Sequence, residues 1–297
     1  MAERTEKVKD ILKEVDKFIV DFAKSRFLPK PELFLSCLRA SLMKCYEFLQ
    51  FVYDDREPES YFFSISNLRG IAEDLIVLGF ISSLEHETCE RLLFCLQQIE
   101  QVERVKKQQQ FFEKYRLFQP VIKWKEEGES SLEVCRNEVK NIWRTNGWPK
   151  FNGKDIPPVR QLAARISPDS LDLLYDFIYR LTSSTVHFSS QTLLRLGWGN
   201  LEDEINFSVK HLPLYYKKFC QIYGALLFCL YFEIFDQHIH PNSVVESAIA
   251  EIRELILIDN RWPEMITFEE MNMDVPQFYR KNLILSLKAH AIQQFSL

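Results

Sequence analysis

The sequence is poor in glycine and carries no excess of positive charge. Only 8 of its 297 residues are glycine, which favours long regular elements over a turn-rich β protein. The formal net charge is -5, so the chain has no global basic field that would gather nucleic acid. Any site for a polyanion must therefore be a local patch.

The sequence also lacks apolar runs long enough to cross a membrane and cysteines with C-x-x-C spacing. The most apolar run, Phe219 to Phe235, is interrupted by Gln221 and Glu233, so it falls short of the roughly 20 residues that cross a bilayer. We expect it to form a buried helix. The N-terminus is too charged for a secretory signal. The seven cysteines include no C-x-x-C pair, which is typical of buried, reduced thiols. We therefore expect a cytoplasmic protein that does not span a membrane.

The sequence contains none of the common nucleotide, hydrolase or zinc motifs. It has no P-loop, no G-x-G-x-x-G, no G-x-S-x-G and no H-E-x-x-H, so nucleotide hydrolase, dehydrogenase, esterase and zinc peptidase functions lack support. His238 and His240 are two residues apart and do not share a helix face. We expect them to lie at the end of a helix, and we expect no metal and no cofactor.

Apolar residues recur at every third or fourth position through most of the chain, and no strand-like alternation is visible. This pattern predicts an all-α fold. A long helix is predicted from Glu87 to about Phe118, whose polar second half projects from the body or packs along one edge. The region that begins at Pro120 is predicted to be less regular. Ser167, Pro168 and Asp169 are predicted to cap the helix that follows.

That helix carries Arg180 and His187, which are seven residues apart and therefore lie nearly on one face. Cleavage of RNA through its own 2′-hydroxyl needs proton transfer, which a histidine supplies, and a cation on the phosphate, which an arginine supplies. Ser183 and Ser184 lie between them and can donate to phosphate oxygens. We expect this hydroxyl run to end or kink the helix. The alternative is a surface arginine, a capping run and a core histidine.

The Arg-x₆-His spacing resembles the R-x₄₋₆-H signature of the HEPN superfamily of small helical proteins. The stretch 148–195 also resembles a bacterial family of unknown function related to them. The matching features are Trp148-Pro149, Val159-Arg160-Gln161-Leu162-Ala163, Tyr175-x-x-x-Tyr179-Arg180, a serine before Val186-His187, and the upstream Arg69-x-x-x-Glu73. The resemblance covers roughly residues 30–235. It implies a single domain over 1–297, namely a HEPN-like helical bundle with additional N- and C-terminal helices, the latter an extension over about 242–297.

The resemblance further implies a metal-independent endoribonuclease, a toxic effector of a bacterial toxin–antitoxin or anti-phage defence system. Arg180 and His187 take the places of the catalytic arginine and histidine. HEPN relatives usually dimerise, so the resemblance implies a homodimer, or a partner subunit of a defence complex, that acts on RNA. The products would carry 2′,3′-cyclic phosphate and 5′-hydroxyl ends.

Two further groups of residues are candidates for the same site. Glu73, four residues after Arg69, is predicted to orient Arg180 or His187, with Arg69 near the RNA; the alternative is an ion pair between Arg69 and Glu73. The second group is a basic and aromatic cluster that can guide an RNA strand through phosphate contacts and stacking. Its members are Trp148, Arg160 and Arg165, and the alternative for them is a solvated loop.

A different class of function stays open, namely a non-catalytic helical scaffold that binds a partner protein or nucleic acid. Active HEPN nucleases usually have a polar residue directly after the arginine, whereas this chain has Leu181. The acidic net charge and the helical additions at both ends also favour the scaffold.

Overall fold

A computed structural model of the chain contains eleven helices and one pair of short strands among the residues that it describes. Those residues are 2–24, 32–54, 61–116, 120, 122, 129–150, 155–166, 171–198, 206–210, 212–258 and 261–266. The elements are α1 Ala2–Ala23, α2 Leu33–Tyr53, α3 Tyr61–Ser82, α4 His86–Tyr115, α5 Glu129–Thr145, α6 Val159–Ala163, α7 Leu171–Val186, α8 Ser190–Arg195, β1 Gly197–Trp198, β2 Asn206–Phe207, α9 Pro213–Ile234, α10 Asp236–Ile239 and α11 Ser243–Leu257.

The predicted all-α fold is confirmed. The strands β1 and β2 are two residues each and pair antiparallel, a local ribbon that the sequence pattern did not reveal. None of the helices in the described part of the chain is long and apolar enough to cross a membrane. The predicted cap at Ser167–Asp169 and the part of the C-terminal extension beyond residue 266 lie outside the described residues.

The chain divides into two compact units. The larger draws on residues 1–24, 41–75 and 173–297, and the smaller on 25–40 and 76–172. The division falls inside α2, α3 and α7. The boundaries of a single domain over 1–297 stay a prediction.

In the larger unit, α9 is buried on nearly all sides between Phe219 and Phe232. Fourteen of its 22 residues are buried, including Phe219, Phe228 and Tyr231. A helix that is apolar all round can only be stable inside a core, so the run from Phe219 forms the buried helix that its composition predicts. α11 packs on α9, and α1 packs on α11.

The polar groups of α9 are satisfied inside this core. Gln221 donates its side-chain amide to the Val52 carbonyl at 2.9 Å. The Tyr231 hydroxyl bonds with Ser41 and with the Ile71 carbonyl. Because a buried polar group without a partner costs about 1–3 kcal/mol, these bonds fix the rotation of α9 against α2 and α3.

In the smaller unit, α4 and α5 pack against each other in antiparallel directions. The thiols of Cys95 and Cys135 are in contact, and Arg91 Nε lies 2.6 Å from Glu138 Oε1. α5 corrects the prediction of a less regular region after Pro120. Its buried residues recur at helical spacing, so the amphipathic pattern was present in the sequence but stands within a stretch that is polar on average.

The start of α2 is capped by a side chain of α4. The two carboxylate oxygens of Glu90 accept from the backbone N–H groups of Leu33 and Phe34 at 2.7 and 2.9 Å. A carboxylate at a helix N-terminus satisfies otherwise unpaired donors and interacts favourably with the helix dipole.

Candidate functional site

α7 is anchored in the larger unit by one apolar face. Tyr175, Ile178, Leu181 and Thr182 are buried, and their spacing of three or four residues places them on the same side of the helix. The Thr182 hydroxyl is fully buried and donates to the Ile178 carbonyl at 2.8 Å. This face sets which residues of α7 point to solvent.

The opposite face of α7 presents Arg180, Ser183, Ser184 and His187, at positions i, i+3, i+4 and i+7. Arg180 and His187 are exposed, and about 10 Å of helix axis separates them. Among the described residues, neither the Arg180 guanidinium nor the His187 ring has a hydrogen-bond or ion-pair partner. Both groups are therefore open to a ligand. The exposed His187 is not the core histidine of the alternative interpretation, whereas the exposed Arg180 fits the surface arginine of that alternative equally well.

The hydroxyl run lies at the C-terminal end of the helix. α7 continues through it to Val186, and the His187 N–H donates to the Ser183 carbonyl at 2.9 Å. Ser184 and Thr185 donate to the carbonyls of Leu181 and Thr182, three residues back. The hydroxyls therefore bond to the backbone of the helix itself, and α7 ends at Val186, one residue after Thr185, as expected for a helix that ends at this run. Only Ser183 of the run keeps a hydroxyl without a described partner.

A polar cluster joins α7 to α3 within the same unit. Arg69 Nε donates to Glu73 Oε1 at 2.8 Å, and the Tyr175 hydroxyl donates to the same oxygen at 3.0 Å. The Arg69 guanidinium lies 4.4 Å from the centre of the Tyr179 ring, in a cation–π contact. The two helices are thus linked by one carboxylate and one stacked cation.

Burial and charge both act on the titration of this cluster. Burial raises the pKa of Tyr175 above its ordinary value, and the Glu73 carboxylate raises it further. Burial lowers the pKa of Arg69, but the hydrogen bond and the negative charge of Glu73 outweigh this effect and leave the pKa raised. Tyr175 is therefore neutral and Arg69 charged at physiological pH.

The structure gives Glu73 different partners from those predicted for it. Its described hydrogen bonds go to Arg69 and Tyr175, and the Arg69–Glu73 ion pair of the alternative interpretation is present. Glu73 is therefore joined to α7 through its hydrogen bond with Tyr175. Arg69 packs on Tyr179, the residue directly before Arg180.

The predicted basic and aromatic cluster lies in the smaller unit. The Arg165 guanidinium stacks 3.9 Å from the centre of the Trp148 ring and donates to the carbonyls of Asn146 and Gly147. Gly147 has φ of 106°, and a Cβ there would lie 2.2 Å from Arg165 Nη1. Arg165 thereby holds a turn that only glycine fits.

The rest of that cluster has structural contacts as well. The Trp148 ring packs edge-on against Phe80 and Trp143, and its Nε1 donates to Gln161 at 3.2 Å. Arg160 is exposed on α6. The contacts of Trp148 and Arg165 explain why the turn needs them, and a role in RNA binding stays a prediction.

Two features near Arg180 and His187 were not predicted from the sequence, namely the hydrogen bond of Tyr175 and the exposure of Phe188. Tyr175 carries the hydrogen bond that joins α7 to α3, and its spacing of four from Tyr179 was the available signal. Phe188, directly after His187, is 88% exposed, and Val186 is 56% exposed. Nothing in the local sequence distinguishes an exposed phenylalanine from the many buried ones.

No group of three or more His, Cys, Asp or Glu side chains within the described ranges is placed to hold a metal ion. His238 lies in α10 and His240 directly follows it, so the pair sits at a helix end as predicted. Burial lowers the pKa of His238, and the neighbouring His240 lowers it further.

Part of the chain matches a known protein family. No curated protein and no solved structure matches the chain. Residues 64–205, just under half of the chain, are similar to a family of unknown function, DUF5677, and this stretch contains the α3–α7 cluster together with Arg180 and His187.

Proposed function

We propose that the chain is a metal-independent endoribonuclease whose site is the solvent face of α7. One observation carries the proposal: Arg180, Ser183 and His187 lie on one helix face, with side chains that have no partner among the described residues. A cation, a hydroxyl and an imidazole in this arrangement match the needs of a bound phosphate diester. The resemblance to HEPN proteins supports the same assignment.

In this mechanism His187 takes the proton from the 2′-hydroxyl of the RNA, and the 2′-oxygen attacks the adjacent phosphorus. Arg180 binds the non-bridging oxygens and stabilises the charge that develops on them. The bond to the 5′-oxygen breaks, and that oxygen receives a proton. The products are a 2′,3′-cyclic phosphate and a 5′-hydroxyl.

The reaction needs both a base and an acid, whereas the described face of one α7 offers a single histidine. We therefore propose a homodimer in which two α7 faces meet, so that the second His187 supplies the proton to the leaving oxygen. The exposed Val186 and Phe188 beside the motif provide apolar surface for that contact.

Leu181 is the residue that argues against catalysis and in favour of a non-catalytic scaffold. Its side chain is 6% exposed and belongs to the buried face of α7, where an apolar residue is required for packing. The site thus lacks the polar residue that usually follows the arginine in active relatives. A non-catalytic scaffold remains the second candidate, since exposed Phe188 and Leu193 equally fit a partner protein.

We propose a cytoplasmic setting and an effector role in toxin–antitoxin or anti-phage defence. All seven cysteines are described, none forms a disulfide, and six are buried, with Cys37 exposed. Reduced thiols fit a reducing compartment. The defence role rests on the HEPN resemblance.

The direct test compares the full chain with His187→Ala and Arg180→Ala in growth arrest and in cleavage of labelled RNA. Proton transfer by a positioned histidine contributes about 10²–10⁴-fold, so we expect cleavage by His187→Ala to fall by at least about a hundredfold. His86 is an exposed histidine on α4, and His86→Ala is the matched control that should keep activity. Equal cleavage by wild type and His187→Ala would reject the nuclease, and so would loss of cleavage in EDTA.

A further inference from the structure

The end of α4 extends beyond the helix that covers its first half. α5 begins at Glu129, six residues before Cys135, and Cys135 contacts Cys95. Arg136 of α5 reaches Glu103 of α4, whose Oε1 lies 3.4 Å from Arg136 Nη2. α4 continues to Tyr115, roughly 20 Å further along its axis.

We call this extension, Glu103–Arg116, the α4 arm. Val102 is the last buried residue of α4, and every residue of the arm is half-buried or exposed. Phe111 and Tyr115 are 55% and 58% exposed. Aromatic side chains displayed in this way on a helix end indicate a surface for binding.

The arm is basic in an acidic chain. It holds five cations and two acids, a net charge of +3, whereas the whole chain carries -5. The cations are Arg104, Lys106, Lys107, Lys114 and Arg116. The arm is therefore a local patch of the kind that a polyanion needs.

Cations and rings alternate along one face of the arm. Arg104, Lys107, Phe111, Lys114 and Tyr115 follow helical spacing, so they lie on one side. The Phe111 and Tyr115 rings are 5.0 Å apart between centroids, and Lys114 Nζ lies 5.2 Å from the Tyr115 centroid. Flat rings beside point charges are the arrangement that binds unpaired bases together with their phosphates.

We propose that the α4 arm binds single-stranded RNA, with its lysines on phosphates and with Phe111 and Tyr115 stacked on bases. The choice of RNA rests on the proposed nuclease function, whereas the existence of the site does not. An acidic protein would need the cations but not the exposed rings. A second copy of the arm would meet it with the same positive charge, which disfavours self-association there.

The first experiment measures binding of the full chain to a fluorescent 2′-O-methyl RNA strand by anisotropy, because 2′-O-methylation blocks attack by the 2′-oxygen. We expect Phe111→Ala/Tyr115→Ala to weaken binding about tenfold or more. Phe94 is 50% exposed on the same helix before the arm, and Phe94→Ala is the control that should bind normally. Equal affinity of wild type, the double variant and the control would overturn the proposal. Circular dichroism melting confirms that all three are folded.

The second experiment tests the charges. Each phosphate contact with a single strand contributes about 0.7 to the slope of log K against log salt concentration, so Lys107→Ala/Lys114→Ala should reduce the slope by about 1.4. An unchanged slope would contradict phosphate contacts. A duplex of the same sequence should bind more weakly, and equal binding would exclude base stacking. Polyglutamate that displaces the strand as well as unlabelled RNA does would assign the arm to an acidic protein instead.

The experiments can reject the nuclease and the RNA-binding arm independently of each other. If unmodified RNA stays intact while the arm variants lose affinity for the methylated strand, the nuclease is rejected and the arm stands. If RNA is cleaved but the arm variants bind like wild type, the arm is rejected and the nuclease stands.

Discussion

Tyr175 shows how one hydroxyl couples the candidate site to the rest of the larger unit. It donates to the Glu73 oxygen that also accepts from Arg69, so this bond adds to the buried face of α7 in holding the helix that carries Arg180. Spacing alone could place Arg180 and His187 on one face. It could not show that the carboxylate of Glu73 accepts hydrogen bonds from Arg69 and Tyr175, because such pairing depends on how the helices pack.

We expect Tyr175→Phe to lower the free energy of unfolding by about 1 kcal/mol at pH 7, because the hydrogen bond is lost while the ring remains. The pKa of Tyr175 is raised in the folded state, so the unfolded chain ionises first, and the stabilisation is lost as the pH rises above about 10. The difference between wild type and variant should therefore shrink or reverse between pH 9 and about 11. Urea unfolding at several pH values measures it.

Tyr179→Phe is the control for that series. Tyr179 lies one turn further along α7 and contributes its ring to the contact with Arg69, which phenylalanine keeps. This variant should be nearly as stable as wild type at pH 7. If Tyr179→Phe and Tyr175→Phe behaved alike at every pH, the hydrogen bond to Glu73 would not be the origin of the effect.

At the scale of elements, the packing of α9 on α2 depends on a glycine. A Cβ at Gly224 would lie 2.9 Å from the Phe48 ring and 3.1 Å from Leu49, both buried, so these side chains must move within the core or α9 must shift away from α2. We expect Gly224→Ala to destabilise the fold by about 1–3 kcal/mol, as overpacking of a core does. Gly70→Ala is the matched helical control, since only the end of the exposed Lys44 side chain is close to it, and alanine should be neutral or stabilising there. Thermal unfolding followed by circular dichroism compares them, and equal melting temperatures would contradict the close approach.

The elements that the sequence predicted well are those whose apolar stripe is broad or complete. α9 is apolar on all sides and α4 changes from striped to polar after Val102, and both features are plain in the residues. α5 was missed although its buried positions, among them Leu132 and Val139, follow helical spacing, because most of the residues around them are polar. The strand pair was missed because two residues are too few to show alternation. The face of α7 was predictable from helical spacing, whereas the exposure of Phe188 depends on tertiary packing.

At the scale of the whole molecule, the proposed chemistry requires two copies of the chain. One α7 face carries one His187, and both a base and an acid act in the cleavage step. Phe188 is 88% exposed beside that histidine, and its burial between two copies would stabilise a dimer by about 1.5–3 kcal/mol per side chain. Sedimentation equilibrium at micromolar concentration should give about twice the chain mass of 35.3 kDa.

Substitution of Phe188 tests whether this side chain mediates the proposed dimer. Phe188→Asp puts a charge in the proposed contact, so it should sediment as a monomer and lose cleavage together with dimerisation. Phe63 is also strongly exposed, at 65%, but lies on α3, and Phe63→Asp should remain dimeric and active. A wild-type chain that sediments only at 35.3 kDa would exclude the shared site for the free protein. A monomeric Phe188→Asp variant that still cleaves RNA would show that one His187 suffices, so that water or the substrate itself protonates the leaving oxygen.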